Sequence, residues 1–167
     1  MTVRAIIETP QGSQNKYEFD GRTGRIRLDR ILSEAIRYPA NYGFVPETWG
    51  KDNAPLDILV YGSTAIYPGV EVTARVVGVL LMQDEYGPDA KIISMVDGDP
   101  RMSHISTLDG LGRRRLEELR RFFQEYNAVE GVGAALGHYQ DASVAERLVK
   151  EALHRWHALQ RDRVLQN

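Results

Sequence analysis

Cysteine is absent from the sequence, which excludes thiolate metal ligands, a cysteine nucleophile and any disulfide framework. Charge of one sign is also lacking in excess. The formal net charge is −2, so no global field favours nucleic acid or an anionic membrane. The opening MTVRAIIETP reaches Arg4 and Glu8 without a long apolar run and does not read as a signal peptide. No window approaches the length of a transmembrane helix, and there is no internal repeat or low-complexity tract. These absences leave a cytoplasmic protein as the expectation, with neither nucleic acid nor membrane among its partners. At 167 residues the chain fits one domain, residues 1–167, with enough core to fold without a covalent or metal brace.

What is present divides into two parts. Roughly the first hundred residues are β-prone: TVRAIIE and NKYEF, separated by the turn-forming TPQGSQ, then GRIRLDR, LDILVYG, VEVTARVVGVLLM and AKIISMV. Gly, Pro and Asp punctuate these runs at short spacing, which predicts a small barrel rather than an alternating βα fold. The remainder is helical in pattern. LGRRRLEELRRFFQEYNA places Leu116, Leu119, Phe123 and Tyr126 at three- and four-residue steps. A final helix carries Val144, Leu148, Ala152, Trp156 and Leu159 on roughly one face, with Ser143 and Glu146 as a candidate capping box. The segment EGVGAALGHY between them is expected to be a glycine-rich connector. The fold class is α+β.

Two acidic pairs carry the strongest chemical signal. Asp52 and Asp57 lie in GKDNAPLDILV, just before a strand; Asp84 and Asp89 lie in MQDEYGPDAK, between two strands. Carboxylates on loops at strand ends, if they converge, suit the hard cations Mg²⁺ and Mn²⁺. The plain alternative is that Asp favours turns because its side chain bonds nearby backbone amides. Lys16, Arg30 and Lys91 each have an acid close by (Glu18, Asp29 and Asp89), an arrangement that serves either as surface ion pairs or as a phosphate clamp. Arg113, Arg114, Arg115, Arg120 and Arg121 interleave with Glu117, Glu118 and Glu125, which favours a solvated helix face. His104, His138, His154 and His157 form no convincing ligand pattern. GVGAALG is not a phosphate loop, since no Lys-Ser/Thr pair follows it.

In order along the chain, IETP, NKYEFD, GRIRLDR, YPANYGF, DNAPLDIL, PGV, VVGVLLMQDEYGPDAK and FFQEYN resemble the soluble family I inorganic pyrophosphatases. YPANYG and the pattern D-E-x-G-x-D-x-K are the most specific. The resemblance implies an OB-like five-stranded β-barrel with two packed helices, one C-terminal. It further implies Mg²⁺ dependence (with Mn²⁺ as the second choice), hydrolysis of pyrophosphate to two phosphates, and a homo-oligomer, with a hexamer favoured. By the same resemblance Glu8, Glu18, Asp52, Asp57, Asp84 and Asp89 are the metal-binding acids. Lys16, Arg30, Tyr38, Lys91 and Tyr126 are the phosphate-binding residues, and Tyr42 is a second active-site tyrosine that joins Arg30 and Lys91 in catalysis.

Two positions depart from the family pattern. Its acidic loop reads Asp-x-Asp-Pro-x-Asp, and the resemblance gives the middle Asp the proton of the attacking water; here that position is Ala54. Where the family commonly has Tyr-Lys, this chain has Tyr126-Asn127, and Lys51 adds a positive charge beside the acidic loop. Three readings stay open on the sequence: an inorganic pyrophosphatase with impaired turnover, a relative acting on another phosphate or diphosphate compound, and a non-catalytic metal-phosphate binder.

Overall fold

The computed structural model describes residues 1–33, 36–84, 87–130 and 135–165, without the side chains of residues 84, 130, 135, 136 and 163–165. Its elements run β1 (Thr2–Thr9), β2 (Asn15–Asp20), β3 (Arg25–Ile31), β4 (Asn41–Val45), β5 (Leu56–Tyr61), β6 (Glu71–Asp84), β7 (Gly87–Val96), α1 (Leu108–Leu111), α2 (Arg113–Glu130), β8 (Ala135–Asp141) and α3 (Ala142–Leu165). Strands β1, β4, β5, β7 and β6 pair in that order, and β6 also pairs with β1, so the five close into a ring. Every pairing in it is antiparallel except β5 with β7, which is parallel. Closure removes the unpaired edges that an open sheet would expose. The expected five-stranded barrel is therefore present.

Strand alternation sorts the apolar residues into two cores. Ala5, Ile7, Val45, Ile58, Val60, Ala74, Val76, Val79 and Ile92 come from all five strands of the ring and pack together, joined by Ala145, Val149 and Ala152 of α3. The neighbouring positions Leu59, Tyr61, Val77, Leu80, Ile93 and Met95 face the other way, against Leu111, Leu119, Phe122 and Phe123. Beside β1, the β4 backbone comes so close that a Cβ on Gly43 would lie 1.9 Å from the Ile6 carbonyl oxygen. Only glycine fits there.

The structure differs from the sequence reading in three details. Part of the expected connector is β8, which pairs antiparallel with β6 through Leu80 opposite Tyr139 and Leu81 opposite His138. Glycine lowers intrinsic strand preference, but a long β6 offers backbone partners that override it. A one-turn helix, α1, precedes the two expected ones; Thr107 caps it by accepting the Gly110 N–H at 3.2 Å. Asp141 rather than Ser143 caps α3, its carboxylate accepting the N–H groups of Ser143 at 2.9 Å and Val144 at 3.2 Å. Glu146 instead receives the N-terminal ammonium at 2.8 Å. Among the described residues no helix is long and apolar enough to cross a membrane.

Candidate functional site

Strand register gathers a polar cluster at one end of the ring. Asp57 and Lys91 each immediately precede the parallel pair Ile58–Ile92 of β5 and β7, so they lie side by side. Asp89 and Lys91 are two residues apart on β7 and share a face. Tyr42 pairs with Leu59, which makes Asp57 its diagonal neighbour across β4 and β5. The Lys91 ammonium donates to Asp57, to Asp89 Oδ1 at 2.9 Å and to the Tyr42 hydroxyl at 3.3 Å. That hydroxyl in turn donates to Asp57 Oδ2 at 2.6 Å.

The charges are fixed by burial and neighbours. Burial opposes the Lys91 charge, but Asp57 and Asp89 more than offset it, and the ammonium stays protonated above its ordinary range. Burial, reinforced by Asp57, raises the Asp89 carboxyl even though Lys91 pulls against that. Burial also lifts the phenols of Tyr42 and Tyr38, so both remain neutral donors.

The hairpin of β2 and β3 supplies the next group. Lys16 and Glu18 share one face of β2, and the ammonium meets the carboxylate at 2.6 Å. Asp29 on β3 reaches Lys16 at 3.2 Å and Arg30 Nε at 2.7 Å, linking the two cations. Each of the three acid–base pairs suggested by sequence proximity is thus a contact in the fold. Glu8, near the end of β1, accepts the Phe19 N–H at 2.7 Å. Its carboxyl is pushed up to about 7, first by burial and then by Asp57 and Glu18, against the opposing pull of the Phe19 N–H.

Aromatic side chains wall the site on the α2 side. Tyr38 is 3% exposed, its ring centroid 4.8 Å from Phe122 and 5.5 Å from Tyr42, and Tyr126 lies 5.8 Å from Phe122. Together these elements enclose a groove of about 930 Å³. Glu8, Lys16, Glu18, Tyr38, Tyr42, Asp57, Asp89, Lys91 and Tyr126 all line it, as do Ala54 and Asn127. Arg30 is not among the residues lining it; it stands opposite Lys16 in the hairpin register.

The acidic loop is tightly wound. Gly50 N–H donates to the Ala54 carbonyl at 2.6 Å, Ala54 N–H donates to Asp52 Oδ1 at 3.3 Å, and Asn53 adopts a φ of 63°. This turns the Asp52 side chain toward an adjoining cavity of about 320 Å³, which shares Asp57, Met82 and Asp89 with the groove and includes Lys51 and His138. Asp52 adds to the negative potential felt by Asp89. Asp84 closes β6 opposite Gly87, but its side chain lies outside the described residues. Among the described residues no three carboxylates or imidazoles converge as a ready-made metal cage.

Sequence reasoning missed the tryptophan end of the groove. Trp156 was read only as one member of a helix face, and the structure shows that both it and Trp49 line the groove, with ring centroids 6.4 Å apart. The available signal was that these are the chain's two tryptophans. The arginine-rich stretch of α2 is the solvated face expected, with Arg113 bonded to Glu117 at 2.7 Å, both exposed.

Cations held among carboxylates, neutral phenol donors and a broad mouth suit a small, highly charged anion bound with a compensating cation. Comparison with known proteins points the same way. The family profile described as inorganic pyrophosphatase matches residues 5–157. The inorganic pyrophosphatase of Halalkalibacterium halodurans is 40% identical over 154 residues, 92% of this chain and 94% of that one. That of Leifsonia xyli is 44% identical over 146 residues, 87% and 90% of the two chains. Among solved structures, inorganic pyrophosphatase from Thermus thermophilus superimposes with a TM-score of 0.90 at 40% identity, covering 93% of this chain and 91% of that chain.

Proposed function

The chain belongs to the inorganic pyrophosphatase family, and we propose that its groove hydrolyses inorganic pyrophosphate to two phosphates with Mg²⁺, Mn²⁺ being the second choice. The observation that carries this reading is the Lys91 ammonium, lodged between Asp57 and Asp89 and beside Tyr42 in a groove also lined by Lys16, Tyr38 and Tyr126.

The donor set fits a hard divalent cation. All the candidate ligands are carboxylate oxygens, and Glu8 and Asp89 are each raised by burial and by repulsion from neighbouring carboxylates, Asp57 in both cases. A site in that condition is short of positive charge. Mg²⁺ commonly uses one or two carboxylates, with water and phosphate oxygens completing its shell, so a full protein cage is not required. Glu8, Glu18, Asp52, Asp57, Asp84 and Asp89 are the proposed ligands. When bound, divalent cations screen the diphosphate charge and make the attacking water more acidic.

The remaining work falls to the side chains. Lys16 and Lys91 clamp phosphate oxygens from the groove wall, Arg30, joined to Lys16 through Asp29, completes the clamp from the β2–β3 hairpin, and Tyr38 and Tyr126 donate without adding charge. Tyr42 holds Asp57 in place. Ala54 cannot accept a proton, so the proton of the attacking water passes to solvent, which slows turnover; a positioned general base typically contributes about 10²–10⁴ in rate. Asn127 can still donate a hydrogen bond where a lysine would add charge.

We also propose one domain over residues 1–167, a cytoplasmic location and a homo-oligomer, with a hexamer favoured. Exposed Leu28, Ile31 and Tyr67 support assembly, and light scattering tests it. The enzymatic reading is tested by phosphate release from pyrophosphate at saturating Mg²⁺. Binding without turnover would instead favour the non-catalytic reading.

A further inference from the structure

The groove is larger than its proposed substrate needs. At about 930 Å³ it lies near the top of the range for pockets holding drug-sized ligands, whereas inorganic pyrophosphate is a small ion. At one end the indoles of Trp49 and Trp156, both half-buried, line the wall at an interplanar angle of 39°. The backbone that carries Trp49 is held in place: its main-chain N–H donates to the Ala152 carbonyl at 3.0 Å, and Arg155 Nε donates to the Trp49 carbonyl at 2.7 Å. The loop between β4 and β5 is thereby tied to α3, and the two rings sit on one braced support. Ala54 and Pro55 line the same groove and add apolar surface rather than negative charge.

Flat indole faces favour planar rings, and each base–aromatic stack contributes to binding whatever the base, because every base has a π-face. The same groove holds Lys16, Lys91, Tyr38 and Tyr42, which suit phosphate oxygens. We propose that the Trp49–Trp156 end is a base subsite and that nucleoside diphosphates are substrates beside pyrophosphate. This rests on the reading that the groove takes a diphosphate. In the step, a water oxygen bonds to the terminal phosphorus as the bridging P–O bond breaks. The bridging oxygen leaves with the bonding pair on the nucleoside monophosphate, and the water's proton passes to solvent. No oxidant or reductant is involved.

Intrinsic fluorescence reports this subsite directly, since the chain has no tryptophan elsewhere. The full-length protein with Mg²⁺ is titrated with α,β-methylene-ADP and with ring-free methylenediphosphonate, and both Kd values are checked by calorimetry. The expected result is saturable quenching by α,β-methylene-ADP and a Kd about tenfold tighter than that of methylenediphosphonate. Trp49→Leu and Trp156→Leu should each bring the two Kd values together, and both should lower phosphate release from ADP. Equal Kd values in the unaltered protein, or a ring advantage that survives both substitutions, overturn the base subsite while leaving the diphosphate reading intact. Failure of both compounds to bind overturns the diphosphate reading and the subsite with it.

Discussion

The Tyr42 hydroxyl donates to Asp57 Oδ2 at 2.6 Å. Because Lys91 bonds the same carboxylate oxygen and also the Tyr42 hydroxyl, the phenol fixes the geometry of a charged pair rather than adding charge. Tyr42→Phe therefore removes a charge-assisted hydrogen bond, a loss of about 1.5–3 kcal/mol. In steady-state assays with pyrophosphate, kcat/KM should fall by about ten- to a hundredfold with the circular dichroism spectrum unchanged. An unaltered kcat/KM would show that Asp57 is held by Lys91 alone.

Lys91→Met tests the charge balance. The variant leaves Asp57 and Asp89 facing each other without their shared cation. Removing one partner of a buried pair costs about 3–5 kcal/mol. Since the Asp57 side chain retains 27% exposure, we expect about 2–3 kcal/mol, or roughly 4–12 °C in Tm for a chain of this size. Mg²⁺ should raise Tm more in the variant than in the unaltered protein, because it supplies the missing positive charge. Equal Mg²⁺-induced shifts would argue against those carboxylates as the cation's ligands.

A pH-dependent contribution lies at the start of α3, away from the groove. The Ser143 side chain, with help from the Val144 and Ser143 N–H groups, holds the Asp141 carboxyl below its ordinary value; the N-terminal ammonium does the same for Glu146. Groups depressed in the folded state contribute stability above the ordinary carboxylate range and lose it as pH falls through the folded value. Asp141→Ala should therefore lower Tm at neutral pH, with the deficit closing below about pH 4. Thermal melts across that range check this; a deficit that stays constant would mean the cap acts without its charge.

The pH–rate profile probes the missing proton acceptor. With methyl-bearing Ala54 in the groove, hydroxide concentration should govern the water's activation. Pyrophosphate turnover should then keep rising at alkaline pH, beyond the point where the Ala54→Asp variant levels off. A flat profile from neutral pH upward would contradict hydroxide dependence.

Much of this arrangement could be read from residue order. The β-prone runs and their turns foreshadow the barrel, and the pairing of Lys16 with Glu18 and of Lys91 with Asp89 follows from period-two spacing within a strand. Contacts set by register between distant strands were beyond that reasoning. Nothing local to Tyr42 or Asp57 says that β4 and β5 will place them diagonally. The strand Ala135–Asp141 was hidden because it begins inside the glycine-rich EGVGAALGHY segment and its own Ala135, Gly137 and Asp141 have little intrinsic strand preference; it owes its form to β6. The role of Trp156 in the groove was not legible because helical periodicity specifies a face but not what that face meets.

The most direct test is phosphate release from pyrophosphate with Mg²⁺, measured for the purified protein beside its Ala54→Asp variant. Measurable release by the protein itself is expected, with a gain on the order of 10²-fold or more in the variant, the contribution of a positioned general base. No release by either protein would contradict it, and the groove would then belong to a reaction other than pyrophosphate hydrolysis.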